Sequence, residues 1–296
     1  MSMPMILVTG ASGHLATAIL EHLTEAGASA IGATRYPTGS GQLRALDFDV
    51  PETISFDGVE TLVLVSAGTE EDDVVINRHE NAITAAERDG VRHIVYTSLT
   101  DAGDHLGFAL AHRWTERRLR NGTVQWTILR NGLYAELIGQ LLTPRDGVIS
   151  APFGQGGVAA VARNDLAEAA AIIAGIPEKH QGKIYNLVGN KVITAQDLAD
   201  TLRAEYRPGK LTELRQALDS AALLPFQPPM LLSIHSAASH GFLEETGTDI
   251  REILGREPLN PLHVAAAAAS SQVTRSPGHQ VTRSPGRSNA VEADRE

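Results

Sequence analysis

Small residues recur every third position at Gly10, Gly13 and Ala16, inside Met5-Ile-Leu-Val-Thr-Gly-Ala-Ser-Gly-His-Leu-Ala16. The chemistry this spacing offers belongs to the backbone. The first glycine permits a tight turn, and the second lets the main chain approach a pyrophosphate. The third small residue packs a helix against a strand. A helix start, with its free N–H groups, favours the negative charge. Gly10, Ala11, Ser12, Gly13, His14 and Leu15 are therefore candidate contacts for a dinucleotide. The motif needs a strand before it and a helix after it. The apolar run over residues 5–8 and the pattern after Gly13 predict both. The plain alternative is a structural strand-turn-helix.

Arg35 stands where a doubly wound fold reads the adenosine ribose, at the end of a second strand over residues 28–33. An acid there would bind the 2′-hydroxyl of NAD, whereas an arginine suits the 2′-phosphate of NADP. The bland reading is an exposed arginine at a strand end. A third short strand over residues 42–48 ends near Asp47 and Phe48. These are candidates for the adenine edge and face, or else a polar turn. Ser66 and Ala67 close a buried strand over residues 61–66 and should pass near the cofactor. Ser98 closes another over residues 93–98, pointing at the nicotinamide side.

General acid chemistry in such folds calls for a Tyr and a Lys one helical turn apart, the Lys lowering the Tyr pKa. Tyr206 and Lys210 have the spacing. Arg207-Pro208-Gly209 between them cannot hold a regular turn, and the pair lies far beyond the expected strand, so the match is by chance. The helix where the pair belongs, residues 109–120, offers His112, which shares a face with Glu116 one turn on. The chain has no cysteine, which removes disulfides, thiolate catalysis and Cys-ligated metals, and no metal site is expected.

These residues must be held by alternating strands and helices. The alternation predicts an α/β fold, a Rossmann-like doubly wound parallel sheet with a smaller C-terminal α/β lobe. Residues 3–150 form the NAD(P)-binding core. Residues 151–265 form the substrate-side lobe, with one strand, 183–188, returning to the core sheet. A helix over residues 73–89 turns Ile76, Ala82, Ile83 and Ala86 inward and stops at Gly90. Asn164-Asp165 could cap a helix to residue 174, with Asp165 serving structure. Thr194 and Asp197 approach a capping box. Gln227-Pro-Pro229 breaks the chain, residues 231–262 are mostly helical, and Thr248 caps a segment stopped by Gly255. Gln272-Val-Thr-Arg-Ser-Pro-Gly278 recurs as Gln280-Val-Thr-Arg-Ser-Pro-Gly286. With the Ala265–269 run before it, residues 266–296 read as a low-complexity, disordered tail.

Of 296 residues 43% are hydrophobic, enough for an ample core, and the net charge of −10 disfavours nucleic acid as a partner. No signal peptide fits, and no apolar run approaches the ~20 residues of a spanning helix. A cytoplasmic protein with no membrane partner is expected. A homodimer is left open.

The chain resembles the NmrA-like branch of the atypical short-chain dehydrogenases, in particular NADPH-dependent quinone oxidoreductases and triphenylmethane dye reductases. The resemblance rests on Thr9-Gly-Ala-Ser-Gly-His-Leu15, Arg35, Tyr96-Thr-Ser-Leu99, His112-x-x-Thr115-Glu116, Leu129-Arg-Asn-Gly132 with Tyr134, and Arg163-Asn-Asp165. Gly182-Lys-Ile-Tyr185 and the segment from Phe242 to Gly255 extend it to residues 3 to about 265. It implies that Asn131, Gly132 and Tyr134 line the nicotinamide and acceptor pocket. Ala16 replaces the third glycine, and Leu133 stands where relatives often carry an aromatic. The implied function is NAD(P)H-dependent reduction, with NADPH preferred and a small-molecule acceptor such as a quinone. Quinone reduction needs little proton donation, because the product ring becomes aromatic and positioning supplies most of the rate. Tyr134 or His112 could assist, the alternatives being wall packing and a helix residue bonded to Glu116 or backbone. A competing reading is a non-catalytic NADP sensor of the NmrA type. A sugar-nucleotide or isoflavone-type reductase fits less well, lacking the catalytic Lys where His112 lies.

Overall fold

The computed structural model describes residues 5–38, 42–67 and 70–273. The second copy of the repeat lies outside them, as does most of the first. In chain order the elements are β1 (Ile6–Thr9), α1 (His14–Glu25), β2 (Ala30–Thr34), β3 (Leu43–Ala45), β4 (Thr61–Val65), α2 (Asp72–Arg88), β5 (His93–Leu99), α3 (Ala109–Arg120) and β6 (Gln125–Asn131). There follow α4 (Ala135–Leu141), β7 (Val148–Ala151), β8 (Gly157–Val158), α5 (Arg163–Gly175), β9 (Ile184–Leu187), β10 (Ile193–Thr194), α6 (Ala195–Leu202) and β11 (Glu205–Pro208). Four helices close the described chain: α7 (Leu211–Asp219), α8 (Gln227–Ser239), α9 (Asp249–Leu254) and α10 (Pro261–Val273).

Seven parallel strands form the central sheet in the order β3-β2-β1-β4-β5-β6-β9. The chain winds outward from β1 to β3, then returns and winds the other way from β4. The reversal leaves a crevice above the carboxyl ends of β1 and β4, where such sheets bind ligands. Both faces are covered, so the strands read as apolar runs rather than an alternation. Val8, Val63, Val95 and Leu129 pack under α1 and α5. Leu7, Leu62, Leu64, Ile94 and Tyr96 pack on the other face, under α2 and α3. Adjacent strand residues point to opposite faces, which assigns every strand-end side chain to one layer.

The smaller lobe has its own apolar cluster. Ile149, Phe153, Val158, Leu198, Ile234 and Leu243 gather around α4 and reach Leu99, Leu106 and Leu133 of the sheet side. The predicted capping box at Thr194 is present, its Oγ1 accepting the Asp197 N–H at 3.1 Å while the Asp197 carboxylate accepts the Thr194 N–H at 2.9 Å.

Several local readings need correction. Gln227-Pro-Pro229 opens α8 instead of breaking the chain, because proline is tolerated in a first helical turn, where its missing N–H has no partner to lose. The mostly helical stretch over residues 231–262 is borne out as α8, α9 and the start of α10, separated by turn segments, with Gly255 ending α9. Neither Asn164 nor Asp165 caps α5; its first amide, the Arg163 N–H, donates to the Glu136 carboxylate at 3.2 Å. Asp165 lies within its first turn, fully buried, and accepts the Leu259 N–H at 2.7 Å and an Arg256 N–H at 2.8 Å, a structural role. Thr248 does not cap α9 either, because its hydroxyl donates to Glu252 at 2.8 Å. Ile76 is only partly buried, and Val75 and His79 take the inward face of α2.

The Ala265–269 run is not part of a loose tail. Ala265 and Ala269 are fully buried in α10, which packs along α4. Contact is close because Gly139 of α4 lies under the Ala265 carbonyl, where a Cβ would collide with backbone. Gly139→Val should therefore push α10 away and lower stability by about 1–3 kcal/mol, the range for overpacking a tight site. Urea unfolding of the two proteins checks this; an unchanged midpoint would mean α10 docks elsewhere.

Candidate active site

The turn after β1 is built for an anion. Gly10 takes φ +67°, a left-handed conformation that a side chain would strain. The Gly13 N–H then donates back to the Gly10 carbonyl at 2.8 Å, closing the turn. No side chain caps α1, and its first turn carries no acid, so its leading N–H groups face outward uncompensated. Ala16 is buried against the sheet, as its spacing requires. The local sequence suffices to make this cradle, and its position at the sheet reversal comes from the topology.

The crevice is held open by side chains rather than by the ladder. Pairing of β4 with β1 ends at Val63 and with β5 at Val65. The next amides are taken one at a time. Val65 N–H donates to Thr9 Oγ1, Ser66 N–H to Thr97 Oγ1 and Ala67 N–H to His79 Nε2, each at 3.0 Å. Since His79 Nε2 accepts, its proton is on Nδ1, which donates to Thr115 Oγ1 at 2.8 Å; Thr115 in turn donates to the Ala111 carbonyl at 2.7 Å. Burial holds the His79 pKa down to about 3, so the ring is neutral and the tautomer is locked. Sequence reading missed His79; a histidine on the inward face of an otherwise apolar helix was the available signal.

Two buried polar atoms at strand ends have no partner within the described protein: Ser66 Oγ after β4 and Asn131 Oδ1 at the end of β6. Unpaired buried polar groups are costly and need a reason. Asn131 lies at the carboxyl edge on the α1–α5 side, where a ligand would meet it, whereas Ser66 shares the α2–α3 side with Tyr96.

On the adenosine side, Arg35 is exposed after β2. The nearby acid, Asp49, is already committed to Arg78 through two bonds of 2.6 and 2.7 Å, which hold its carboxyl below the usual range. Among the described residues Arg35 is thus left without an ion pair. Asp47 forms a turn, accepting the Asp49 N–H at 3.0 Å, and Phe48 is partly buried against the α2 layer. Arg78 was not anticipated; it fixes the loop that carries both.

The two side chains singled out for proton transfer are not brought together. His112 packs in the α2–α3 layer, with Nδ1 2.9 Å from the Tyr96 hydroxyl. Burial, with the Arg113 charge, lowers its pKa to about 4, so it is uncharged at neutral pH. It bonds neither Glu116 nor backbone. Glu116 instead accepts from Ser98 Oγ at 2.6 Å and from Arg113 and Arg130. Ser98 therefore presents its backbone, not a free hydroxyl, to the edge. Tyr134 follows β6 on the α1–α5 side, its ring 4.9 Å below the Arg163 guanidinium. Burial raises its pKa, so the phenol stays protonated. Beside Gly132 and Leu133 a narrow cleft runs between sheet and lobe, walled by Ala102, Val158, Val188 and Leu243. Tyr206 bonds the carbonyls of Ala151 and Gly154 from β11, far from a Lys-assisted role. Among the described residues no cluster of acids and histidines could hold a metal ion, and no helix is long and apolar enough to cross a membrane.

A wound parallel sheet with an uncapped, glycine-lined helix start at its reversal defines a nucleotide-binding protein of the Rossmann-like class. Comparison with known proteins agrees: the NAD(P)H-binding family model matches residues 10–175. The chain belongs to this NAD(P)H-binding family, in its NmrA-like branch. It is 32% identical to quinone oxidoreductase 2 of Escherichia coli over 272 residues, covering 85% of this chain and 94% of that protein. It is 27% identical to an NmrA-like family domain-containing oxidoreductase of Aspergillus flavus, covering 86% and 92%. The crystal structure of Citrobacter sp. triphenylmethane reductase complexed with NADP(H) superposes with a TM-score of 0.79 at 29% identity, covering 89% of this chain and 99% of that one.

Neutral, buried His79 and His112 make stability pH-dependent in one direction. Their folded pKa values of about 3 and about 4 lie below the unfolded value near 6.5, so below that pH the unfolded chain binds protons first. Their contribution is intact above 6.5 and falls by up to about 1.4 kcal/mol per pH unit per group as pH drops toward 4. Thermal unfolding between pH 7.5 and 4.5 should show this loss. His112→Asn should reduce the slope by its share, leaving that of His79 and His93; an equal slope would mean that His112 protonates freely in the fold.

Proposed function

We propose that the protein is an NADPH-dependent reductase that passes a hydride to a quinone or a similar conjugated acceptor. The observation that carries the reading is the convergence, on one sheet edge, of an uncapped helix start, an Arg35 with no ion pair among the described residues and the orphaned Asn131 Oδ1. These residues fit the cofactor's chemistry. The turn from Gly10 to Leu15 takes the pyrophosphate through backbone N–H groups, and Arg35 takes the 2′-phosphate as a fork of donors. Asn131 Oδ1 gives a polar anchor at the nicotinamide end, with the backbone of Ser66 and Ala67 passing beside it. When bound, NADPH supplies the hydride.

The chain's own part is to place the acceptor and keep it dry. The cleft beside Gly132 has mainly apolar walls, with Thr100 and Glu245 among them, and the likeness to a quinone oxidoreductase and to a dye reductase favours a conjugated acceptor there. No buried acid–base pair is aimed into it: His112 is neutral and faces the other layer. The Tyr134 phenol is protonated and makes no hydrogen bond within the described residues. It is the one candidate to hold a proton at the acceptor; solvent supplies protons otherwise. Rate then comes mainly from proximity and orientation.

Two measurements test this. NADPH oxidation should be stimulated by members of a panel of benzoquinones, naphthoquinones and triphenylmethane dyes; tight NADPH binding without turnover on any of them would replace catalysis with cofactor sensing. Arg35→Ala should weaken NADPH by about tenfold or more, as expected for loss of a charge-assisted hydrogen bond of about 1.5–3 kcal/mol. NADH affinity should barely change. Equal losses for both nucleotides would remove Arg35 from 2′-phosphate recognition.

A further inference from the structure

A polar hollow lies on the outer side of α3, away from the glycine turn. It encloses about 480 Å³ and is lined by Arg113, Glu116, Arg117, Arg120, Asn121 and Arg130. That volume is in the range of small-molecule sites. Its lining is almost wholly polar and cationic, in a chain whose net charge is −10.

The arginines divide into two kinds. Arg113 and Arg130 form a fixed floor. Both bond the buried Glu116 carboxylate, at 3.0 and 2.9 Å, and Arg113 also donates to the carbonyls of Leu99 and Thr100. Asp104 and Asp101 meet them from outside the cavity, at its half-exposed edge. Arg117 and Arg120 are exposed at the mouth, and neither has a hydrogen bond or ion pair among the described residues. Residues 113, 117 and 120 stand at i, i+4 and i+7, so they share one face of α3. The neighbouring Arg118 turns the other way and is neutralised by Glu80 and Glu87 at 2.8 and 2.7 Å.

Helix α3 thus pairs the arginine that faces α2 and leaves two on the cavity side unpaired. A helix C-terminus favours one nearby cation through a partial charge of about half a unit. It does not account for two further guanidinium groups, Arg117 and Arg120, left unpaired among the described residues beside a concave site whose floor arginines are already matched by Glu116, Asp101 and Asp104. Guanidinium groups recognise carboxylate and phosphate as planar forks, and several of them facing one hollow raise the local positive potential.

We infer that this hollow binds a small, multiply charged oxyanion, with Arg117 and Arg120 as its mobile clamps over the Arg113–Glu116–Arg130 floor. The shared chemistry is two or more negative charges on phosphate or carboxylate groups. The near absence of apolar lining excludes the ring-shaped acceptor of the cleft. The site is independent of the redox reading, because it requires no turnover.

The test uses the full chain saturated with NADPH, so that the glycine turn is filled. Tripolyphosphate and citrate are titrated separately at constant ionic strength, read by calorimetry and by thermal shift. Saturable binding of at least one is expected, and the better of the two identifies the phosphate or carboxylate source. The Arg117→Gln, Arg120→Gln double variant should weaken it by at least about tenfold, about 1.4 kcal/mol. Neither side chain supports the fold, so the variant's unfolding temperature without anion should match the parent's. A control with the same change in charge elsewhere, Lys179→Gln with Lys191→Gln, should bind like the parent. Absence of saturable binding, or equal weakening in both double variants, would overturn the proposal.

Discussion

Pairing of β4 with β1 runs out at Val63, before the strand ends, and the rest of the crevice depends on how the amides of residues 65–67 are satisfied. A buried N–H without an acceptor costs roughly 1–3 kcal/mol, so three in succession could not be left open. Thr9, Thr97 and His79 each take one, from β1, β5 and α2. The segment after β4 is thereby drawn along the carboxyl edge, which keeps the reversal point clear above the glycine turn. The lock on the His79 tautomer extends this constraint into α3 through Thr115.

The same edge shows how one sheet divides labour between its faces. Even-numbered residues at the ends of β5 and β6, Ser98 and Arg130, turn toward α3 and are consumed in the Glu116 network. Their odd-numbered neighbour Asn131 turns the other way and stays unpaired. The Glu116 network is therefore sequestered behind the sheet, while the cleft beside Gly132 keeps mainly apolar walls. Such a division favours positioning over acid–base chemistry, as the proposed acceptor requires.

Where reading the residues succeeded, the governing physics was local. The capping box at Thr194, the left-handed Gly10 and the stop at Gly90 each depend on a few adjacent residues. Where it failed, the deciding partner was remote. An alanine run is equally compatible with a loose tail and a tight helix contact, and Gly139, more than a hundred residues earlier, decides between them. Asp165 looked like a cap because its partners, Arg256 and the Leu259 amide, are invisible at short range. His112 and Glu116 share a helix face, but the pleat of β5 hands Tyr96 to one and Ser98 to the other.

By itself, then, the sequence determined the elements, their wound α/β order, the anion-binding turn and Arg35 beside it. Those follow from hydrophobic period and from backbone conformations that glycine alone accepts readily. Tertiary structure decided which polar groups are spent and which remain available. Arg78 takes Asp49 and frees Arg35, His79 takes Ala67, and Asn131 and Ser66 are left over. Hydrogen-bond satisfaction is a tally over three dimensions, and no spacing along the chain contains it.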